Sequence, residues 1–421
     1  MFKRHVKFFK IVFGIFIATY ILIVFLKIIQ RNINQSSLLD FYDKKKVPTN
    51  LEITEKFTEK EMEKMSALGR WLISSDVNPP QNSNKKNKPY LILIWKYGPF
   101  LENRHLKRFT TEKHSPWENC SVQCLLSYNS NDIERADAVI FHIHRIKNRN
   151  ELPVRRNYNQ RWIFLTDESP LHTFLHRPQE LSNYNKLFNW SMTYHMDSDI
   201  PVPYGRTVKL STPFKDQSLL HKKLEKKKKL LGIMFSNCAS LNNRMNYVRE
   251  LKKVLGNNLD IIGKCLNGNR TACPSHFRKN CDLLENYKFY LSFENSNCRQ
   301  YLTEKVFWNA YEKFAIPVIM GAPYDDCEKL LPPNSFIHVN QFSSPLALAN
   351  YLMNLNEHGS YGKYHKWRTE YQVINEHGYF GSASKHYCRA CEALHYNSMN
   401  RKVYDNIEHF WSKTKDCNIY H

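Results

Sequence analysis

The chain has 421 residues, of which 42% are hydrophobic and 14% are aromatic. This length suits roughly two or three domains with packed cores, and this composition excludes a largely disordered chain. The formal net charge of +22 favours anionic partners such as nucleic acid, anionic lipid or a phosphorylated substrate. No zinc-finger, RNA-recognition or homeodomain pattern accompanies the charge, so we do not expect nucleic-acid binding.

The first predicted element is an apolar helix at residues 11–29, IVFGIFIATYILIVFLKII, which carries one charge, Lys27. At about 1.5 Å per residue, a helix of this length crosses roughly 30 Å of hydrocarbon. No small-x-small cleavage site follows it, which favours an uncleaved transmembrane signal-anchor over a cleaved signal peptide. The flanking basic residues modestly favour a cytoplasmic tail at residues 1–10 and a lumenal position for the rest of the chain.

Residues 30–88 are polar and rich in lysine, and they end in SSDVNPPQNSNKKNK. This composition is typical of a stem that holds a globular head off a membrane, and a short helix near residues 52–68 is compatible with it. Sequons in the chain give three candidate N-glycosylation sites, which are Asn34, Asn189 and Asn269.

The eleven cysteines fit a lumenal position. In an oxidising compartment, closely spaced pairs such as Cys120 with Cys124 and Cys388 with Cys391 indicate disulfides. A zinc site is the alternative, and it requires two such pairs to converge on one metal ion. The odd count leaves one thiol unpaired or used between chains.

From residue 89 onward, short apolar runs alternate with helical patterns. The runs lie at residues 90–95, 122–128, 136–143, 161–169, 230–237, 259–265, 287–294, 315–321 and 335–339. Continuous apolar runs of this length fit buried parallel strands. A lysine-rich stretch at 222–229 separates the two series. We therefore predict two doubly wound α/β domains at 89–220 and 229–395, which face a cleft, and a tail at 396–421 with a closing helix.

A strand–loop–helix unit around Ser236 and Asn237 has the features of an anion site. The strand ends at these two residues and a helix follows at once, so backbone N–H groups would point outward at the carboxyl end of the strand. Arg244 falls in the first turn, opposite an apolar stripe of Leu241, Met245, Val248 and Leu251. The residues alone are equally compatible with a surface arginine on a capped helix.

The stretch FYLSFENSNCRQYLTEKVFW, residues 289–308, has the same architecture. Thr303 is a predicted N-cap, which puts Glu304 and Lys305 in the first helical turn. The helix dipole disfavours lysine there unless an anion is also present. The preceding strand delivers Glu294 and Asn295 to the same edge, where a carboxylate suits a ribose diol. A surface cluster with a Glu–Lys pair explains the pattern equally well.

Residues 287–323, YKFYLSFENSNCRQYLTEKVFWNAYEKFAIPVIMGAP, resemble the signature block of the α1,3/4-fucosyltransferases, a family of Golgi type II enzymes. Other blocks follow in that family's order, namely ADAVIFH, RWIFLTDESP, LFNWSMTYHMDSDIPVPYG, MFSNC and LLPPNSFIHVNQF. The resemblance covers roughly residues 90–395. It implies a GT-B fold with two Rossmann-like domains after one transmembrane helix and a stem, GDP-fucose as donor, and inversion at the sugar carbon.

The resemblance also implies roles for individual residues. Glu168, in TDESP, would be the general base that takes the proton from the acceptor hydroxyl. Arg244 and Lys305 would neutralise the charge that grows on the leaving GDP. The positions that match donor contacts in the family are Ser236, Asn237, Arg244, Tyr290, Glu294, Asn295, Tyr301, Glu304 and Lys305.

The acceptor side departs from the family pattern. The family commonly has two adjacent histidines before an arginine and an acidic residue, whereas here an isoleucine separates His142 from His144 and no acid follows Arg145. The acceptor preference is therefore left open. Asp167 precedes the predicted base, and this second carboxylate would raise the pKa of Glu168 unless it points away.

The triplet Asp197–Asp199 matches the Asp-x-Asp of metal-dependent sugar transferases, but it lies inside a family block, and we expect a structural role. We expect no required cofactor and a divalent metal that at most stimulates. The resemblance further suggests that Cys388 and Cys391 pair with Cys120 and Cys124, which would clamp the C-terminal segment onto the first domain. A redox role for the CxxC is the alternative.

The sequence thus predicts a single-pass type II enzyme of the Golgi membrane, with its catalytic head in the lumen. It would transfer L-fucose from GDP-β-L-fucose to a GlcNAc hydroxyl, O3 in preference to O4, of a glycan on a glycoprotein or glycolipid. The alternatives are a GT-B transferase for another nucleotide sugar and an inactive, glycan-binding Golgi homologue. The acceptor glycan and the formation of a homodimer are left open.

Overall fold

The computed structural model describes residues 56–74, 78–80, 84, 88–107, 112–214, 217–274, 280–379 and 382–417, together with residue 22. The predicted cytoplasmic tail, the rest of the predicted membrane anchor at 11–29 and the sequon at Asn34 lie outside these residues. Within the described part of the chain, no helix is both long and apolar enough to cross a bilayer. The described residues from 56 onward belong to one compact unit, Glu52–His421.

A six-stranded parallel sheet organises the N-terminal half of this unit. Its strands are β1 (Leu91–Trp95), β2 (Leu125–Ser127), β3 (Ala138–His142), β4 (Arg161–Leu165), β5 (Trp190–Thr193) and β6 (Ile200–Pro201). They lie in the order β2-β1-β3-β4-β5-β6, and each neighbouring pair is parallel. Strands β3 and β4 are buried along their whole length, as expected of central strands covered on both faces.

A second parallel sheet organises the C-terminal half. The remaining strands are β7 (Gly205–Lys209), β8 (Lys229–Met234), β9 (Leu259–Ile262), β10 (Tyr287–Phe293), β11 (Ile316–Met320), β12 (Ile337–His338) and β13 (Tyr371–Asn375). The five-stranded sheet has the order β12-β11-β10-β8-β9, with parallel pairs throughout, and β7 pairs antiparallel with β13. These two sheets confirm the predicted α/β class with parallel, Rossmann-like units.

The α-helices are α1 (Glu59–Lys64), α2 (Ala67–Ile73), α3 (Gly98–His105), α4 (Ser218–Glu225), α5 (Arg244–Leu255), α6 (Glu304–Val306), α7 (Tyr324–Leu330), α8 (Pro345–Glu357) and α9 (His386–Tyr396). Helix α6 continues as a π-helical segment, Phe307–Glu312. Short 3₁₀ segments lie at Ser130–Glu134, Ile143–Arg145, Arg149–Glu151, Pro170–His172, Leu181–Tyr184, Gly256–Asn258, Cys265–Asn267, Asp282–Asn286, Val339–Gln341, Ser360–Thr369 and Ile407–His409.

Two short helices from the predicted stem pack onto the first sheet. Thr58 caps α1 through a capping box with Glu61, and Ser66 caps α2. Leu68 is buried in the core of the first sheet, and its N–H donates to Asn397 Oδ1 at 3.0 Å. Residues 56–74 are therefore part of the folded head, although the sequence assigned them to the stem. The lysine-rich, polar composition of the longer segment 30–88 concealed the apolar residues at 56–74.

The final helix, α9, crosses back to the first sheet. Cys120 is bonded to Cys388 and Cys124 to Cys391, and the side chain of Leu394 is buried in the core of that sheet. The helix thus completes the N-terminal core, although it lies in the range predicted for the C-terminal domain. Three further disulfides are Cys238–Cys265, Cys273–Cys281 and Cys298–Cys417, which leaves Cys327, buried, as the unpaired cysteine.

A buried ion cluster around Glu376 holds this crossing in place. The Glu376 carboxylate accepts hydrogen bonds from Arg206 Nε at 2.5 Å and from Arg389 Nη2 at 2.8 Å. Arg389 also donates to Glu392 at 2.6 Å. Burial by itself would raise the pKa of Glu376, but the charges of Arg206 and Arg389 outweigh it and lower the pKa to about 2. The carboxylate therefore stays ionised inside the protein.

We expect Glu376→Gln to lower the free energy of unfolding by about 3–5 kcal/mol, because it removes the buried carboxylate that pairs with Arg206 and leaves Arg389 with Glu392 alone. The folded pKa of about 2 lies below the ordinary value of 4.5. The stabilisation is therefore complete above about pH 4.5 and is lost as the pH falls toward 2. Chemical denaturation of both proteins across this range measures the effect, and the difference between them should shrink in acid.

Glu250→Gln serves as the control for this substitution, since Glu250 is an exposed carboxylate paired with Lys253 on α5. Exposed pairs contribute little to stability, so its effect should be far smaller. Equal effects of the two substitutions would show that the Glu376 cluster is not a stabilising element.

The structure corrects one predicted glycosylation site. Asn189 is 2% exposed, its Nδ2 donates to the carbonyl of Lys402 at 2.7 Å, and its Oδ1 accepts from Trp162 N–H at 2.9 Å. The nitrogen that would carry a glycan is thus buried and bonded, so the prediction for Asn189 is wrong for the folded chain. Asn269 is exposed, and its Oδ1 accepts from the N–H of Thr271 at 3.0 Å.

When the chain is expressed through a eukaryotic secretory pathway, we expect a glycan on Asn269 and none on Asn189 in the folded protein. Peptide mass spectrometry after enzymatic deglycosylation in heavy-oxygen water marks each occupied asparagine. Asn269→Gln should remove one glycan without loss of folded protein, whereas Asn189→Gln should destabilise the chain because the buried Asn189 side chain makes three hydrogen bonds. A glycan found on Asn189 would contradict the burial seen here.

Candidate active site

The carboxyl ends of β4 and β10, one from each parallel sheet, meet across the two halves of the head. Tyr301 Oη donates to Glu168 Oε2 at 3.1 Å, between residues 133 positions apart in sequence. Ser296 Oγ lies 2.7 Å from Ser169 Oγ. The predicted base therefore lies beside the polar stretch that was predicted to hold the donor. This is the strand edge at which ligands bind in α/β sheets.

The second carboxylate at this edge points away from the first. Glu168 is partly exposed, whereas Asp167 is buried and forms an ion pair with Arg104 Nη2 at 3.1 Å. His386 Nε2 lies 3.0 Å from the other oxygen of Asp167. Burial would raise the pKa of Asp167, but Arg104 and then His386 outweigh it and hold the pKa well below its usual value. The sequence left open whether Asp167 lies beside Glu168 or points away from it, and the structure shows that it points away.

Lys305 is held between two carboxylates on the opposite side of the site. Its Nζ lies 2.8 Å from Glu294 Oε2 and 3.1 Å from Glu304 Oε1. Burial would lower the pKa of Lys305, but Glu294 and then Glu304 more than offset it and raise the pKa, so the ammonium stays charged. Thr303 caps the helix here, as predicted, by accepting from Lys305 N–H at 3.5 Å.

Glu294 does not present a free carboxylate to the site. It is 0% exposed, and its Oε1 accepts from the N–H and the Oγ1 of Thr303 at 2.9 and 2.7 Å, while its Oε2 pairs with Lys305. The predicted contact of Glu294 with a donor hydroxyl is therefore wrong for this structure, and its carboxylate orients Lys305 instead. Glu304 is partly exposed and faces the same ammonium.

Arg244 is buried and joins two strand ends. Helix α5 begins at Arg244, and Leu241 lies in the preceding loop with 55% of its surface exposed, so Leu241 is not part of the buried stripe. Arg244 is 1% exposed; its Nη1 donates to Phe293 O at 2.8 Å and its Nη2 to Asn237 O at 2.7 Å. The alternative of an ordinary surface arginine is therefore wrong, because the guanidinium is buried and binds backbone carbonyls that follow β8 and end β10.

The other predicted donor-side residues differ in their exposure. Ser236 and Asn237 are exposed in the loop after β8, and Asn295 is partly exposed after β10. Tyr301 is buried, and burial together with Glu168 raises its pKa far above the usual value, so it keeps its proton and donates a hydrogen bond to that carboxylate. Tyr290 is buried within β10 and accepts from Asn309 Nδ2 at 3.1 Å. Tyr290 therefore belongs to the core and does not line the site, contrary to the prediction.

The predicted acceptor residues lie at the end of β3. His142 is buried, neither of its ring nitrogens has a hydrogen-bond partner among the described residues, and burial lowers its pKa to about 3. His144 and Arg145 are partly exposed. His144 Nδ1 lies 3.0 Å from the carbonyl of His172, and the Arg145 guanidinium lies 3.4 Å from the ring centre of Phe100. Only His144 and Arg145 of the three are therefore open to a ligand.

The Asp-x-Asp triplet is engaged with the protein itself. Asp197 Oδ2 pairs with Arg299 Nη1 at 3.2 Å. Asp199 Oδ2 accepts from Ser191 N–H at 2.9 Å and from Tyr404 Oη at 2.7 Å. These contacts fit the structural role expected from the sequence.

The side chains around Asp167 were missed by the sequence analysis. Arg104 comes from α3 and His386 from the first turn of α9, and His386 is 219 positions from its partner. The sequence feature that bears on the position of His386 is the neighbouring Cys388. Its disulfide to Cys120 fixes the start of α9 against the first half of the head.

The protein is a mixed α/β protein with two parallel, Rossmann-like sheets. A polar site lies where their strand ends meet, and it contains a carboxylate, a tyrosine and a lysine. A family model described as fucosyltransferase, N-terminal, matches residues 87–205, and one described as glycosyltransferase family 10 (fucosyltransferase) C-term matches residues 224–411. The chain belongs to glycosyltransferase family 10, the fucosyltransferases. The resemblance seen in the sequence is thereby confirmed.

Individual relatives agree with this assignment. Alpha-(1,3)-fucosyltransferase 7 of Rattus norvegicus is 32% identical over 344 residues, which are 80% of this chain and 83% of that protein. Glycoprotein 3-alpha-L-fucosyltransferase A of Drosophila melanogaster is 34% identical over 306 residues, 71% of this chain but 56% of that protein. A 3-galactosyl-N-acetylglucosaminide 4-alpha-L-fucosyltransferase of Bos taurus is 31% identical over 330 residues, 76% of this chain and 82% of that protein.

The buried bridge made by Arg244 gives a test of the site's architecture. Arg244→Lys keeps the charge but lacks the planar fork that reaches two carbonyl oxygens. We expect it to lower the free energy of unfolding by about 1–3 kcal/mol, measured by denaturant titration. Arg249→Lys, an exposed position on the same helix, is the matched control and should leave stability unchanged. Unchanged stability in the Arg244 variant would show that the bridge is not needed to hold the two strand ends together.

Proposed function

We propose that this chain is an inverting fucosyltransferase that moves L-fucose from GDP-β-L-fucose to O3 of a GlcNAc residue in a glycan on a glycoprotein or glycolipid. Membership of the fucosyltransferase family supports transfer of fucose. The observation that carries the mechanism is the contact between Tyr301 and Glu168, which joins the two strand ends and sets a partly exposed carboxylate opposite the buried Lys305 cluster.

Glu168 is the proposed general base. Tyr301 donates to Oε2 of Glu168, and Oε1 of Glu168 accepts no hydrogen bond from the described residues. As the acceptor hydroxyl oxygen attacks C1 of fucose, its proton passes to the carboxylate of Glu168. The new O–C1 bond forms on the face opposite the leaving group, so a single displacement inverts the configuration at C1. The bond between C1 and the phosphate oxygen breaks, and GDP leaves with the electron pair.

Lys305 and the loop after β8 are the proposed cradle for the leaving diphosphate. Negative charge grows on the phosphate oxygen as the bond breaks, and a fixed ammonium stabilises that charge more in the transition state than in the ground state. The start of α5, together with the exposed Ser236 and Asn237, adds N–H and side-chain donors at a positive helix end. Arg244 acts indirectly, because its fork is already bound to Phe293 and Asn237.

Lys305 and Arg244 do not carry a large excess of positive charge. The carboxylates of Glu294 and Glu304 face the same ammonium, so these four side chains sum to zero. We therefore propose that directed N–H groups and the placement of one ammonium, rather than a strongly positive pocket, hold the diphosphate. That a divalent metal at most stimulates the reaction stays a prediction from the sequence.

The proposed setting is the lumen of the Golgi, with residues 11–29 as a type II anchor. Disulfides that link ten cysteines suit an oxidising compartment and support a lumenal head. Two of the three relatives described above are named as 3-fucosyltransferases, which supports O3 as the acceptor position. His144 and Arg145 are the proposed acceptor-side contacts, since both are partly exposed at the end of β3.

We expect Glu168→Gln to bind GDP with nearly unchanged affinity and to lower kcat by about 10²–10⁴-fold, the contribution of a general base. Product mass spectrometry with GDP-fucose on a panel of N-glycan and lactosamine acceptors measures transfer, and calorimetry measures GDP binding. Glu180→Gln, at an exposed position in the same half of the head, is the control. Wild-type turnover by the Glu168 variant would exclude Glu168 as the base, and activity with UDP-sugars alone would exclude the proposed donor.

A further inference from the structure

A buried polar cluster surrounds Asp167, the residue before the proposed base. The members of this Asp167 cluster are Asp167, Arg104, His105, Tyr204, His377, Ser384 and His386. They come from the end of β4, from α3, from the segments before β7 and after β13, and from the start of α9. None of the other six is close to Asp167 in sequence, so only the fold brings them together.

Asp167 is fixed at three atoms. One carboxylate oxygen pairs with Arg104 at 3.1 Å, and the other lies 3.0 Å from His386 Nε2. Its backbone carbonyl accepts from Tyr204 Oη at 2.9 Å. Strand β4 ends at Leu165, so the sheet's own ladder does not hold the segment that carries Glu168. The contacts of Asp167 therefore fix the backbone from which Glu168 extends.

Hydrogen-bond partners on both sides hold the ring of His386. Its Nδ1 lies 3.2 Å from Ser384 Oγ, and that oxygen lies 2.8 Å from His105 Nδ1. The Asp167 carboxylate can only accept, so His386 Nε2 carries a proton and donates it. Ser384 Oγ lies between His386 Nδ1 and His105 Nδ1 and bonds both rings. These bonds on both sides give the His386 ring one orientation.

Tyr204 is oriented in the same way. His377 stacks on the Tyr204 ring with 3.9 Å between ring centres, and His377 Nε2 lies 2.9 Å from the carbonyl of Val202, to which it donates. Burial lowers the pKa of His377 to about 3, so its ring is neutral. His386 and Tyr204 thus each have a further partner that sets their direction.

We infer that His386 is a positioning residue for the fucosyl-transfer reaction: its N–H bond to Asp167 sets the Glu168 carboxylate at the acceptor hydroxyl. This inference rests on the proposed role of Glu168. Arg104 supplies the charge that keeps Asp167 ionised, and its removal would leave a buried carboxylate uncompensated. His386 supplies a directed N–H donor, and a substitution can remove that donor while Arg104 stays in place.

The same side chains include a donor set that could hold a transition metal. Asp167, His377 and His386 offer ligand atoms that lie within 4.8 Å of one another. Two observations favour direct hydrogen bonding. The distance of 3.0 Å from His386 to Asp167 is that of a hydrogen bond, and Arg104 already balances the charge of the carboxylate. Metal binding is therefore treated as an outcome that would overturn the inference.

Two substitutions of His386 test the inference. His386→Phe keeps a buried ring and removes the N–H donor, whereas His386→Gln keeps an N–H donor of similar reach. We expect His386→Phe to lower kcat by about 10- to 100-fold, the cost of a misplaced catalytic group, with the KM for GDP-fucose and the Kd for GDP within about twofold. His386→Gln should recover most of kcat. This split between kcat and KM, and the rescue, would not follow from a merely structural role.

His365→Phe is the matched control. His365 is 2% exposed, against 0% for His386, and lies on the Ser360–Thr369 segment. Neither of its ring nitrogens has a hydrogen-bond partner among the described residues. Any general cost of replacing a buried imidazole should appear in this variant as well. Thermal unfolding of all four proteins gives the folded fraction by which each kcat is corrected.

Several outcomes overturn the inference. They are a kcat of His386→Phe within about twofold of wild type, an equal loss in the Gln and Phe variants, and an equal loss in His365→Phe. Stoichiometric zinc in purified wild type, measured by elemental mass spectrometry and absent from Asp167→Asn, would make the cluster a metal site instead. Wild type and Glu168→Gln are assayed in parallel. If wild type transfers no fucose, or Glu168→Gln is fully active, the proposed function itself fails and the inference falls with it.

Discussion

The site depends on one contact between the two parallel sheets, the hydrogen bond from Tyr301 to Glu168. A carboxylate at the end of one sheet and an ammonium at the end of the other act on a single reaction only if the two edges are in register. Tyr301 belongs to the donor-side stretch and bonds the proposed base directly, so the position of one half defines the position of the other. A second hydrogen bond, between Ser296 and Ser169, links the same two strand ends.

Burial and ion pairing decide which carboxylates at the strand ends stay open to a ligand. Arg104 balances Asp167, so that Glu168 is the carboxylate left at the surface of the site. On the donor side, Glu294 is enclosed and its oxygens hold Lys305 and Thr303. In both halves a fully buried carboxylate orients a group beside it, and the partly exposed neighbour is available for chemistry. The buried acids were the ones whose roles the sequence described least well.

The features that could be predicted from the sequence are those that depend on local residue patterns. Apolar runs gave the parallel strands, and polar residues after those runs gave the strand ends at Glu168 and Glu294. The sequence could not predict which polar residues are enclosed. Tyr290 lies in a strand buried on both faces, and Asn189 bonds Lys402, whose distance in sequence carries no local signal. The bond between Asp167 and His386 spans 219 positions and exists only because α9 returns to the first sheet.

Because α9 returns to the first sheet, the disulfides of this helix affect the geometry of the site. Cys388 lies two residues after His386 in the first turn of α9 and is bonded to Cys120, while the next turn is bonded through Cys391 to Cys124. A helix can rotate or slide along a sheet when only apolar contacts hold it, but two covalent links to neighbouring positions prevent both motions. The imidazole that meets Asp167 therefore keeps its height and direction. In this family member, the disulfides that close the fold also hold the support of the proposed base, which ties the precision of the site to an oxidising compartment.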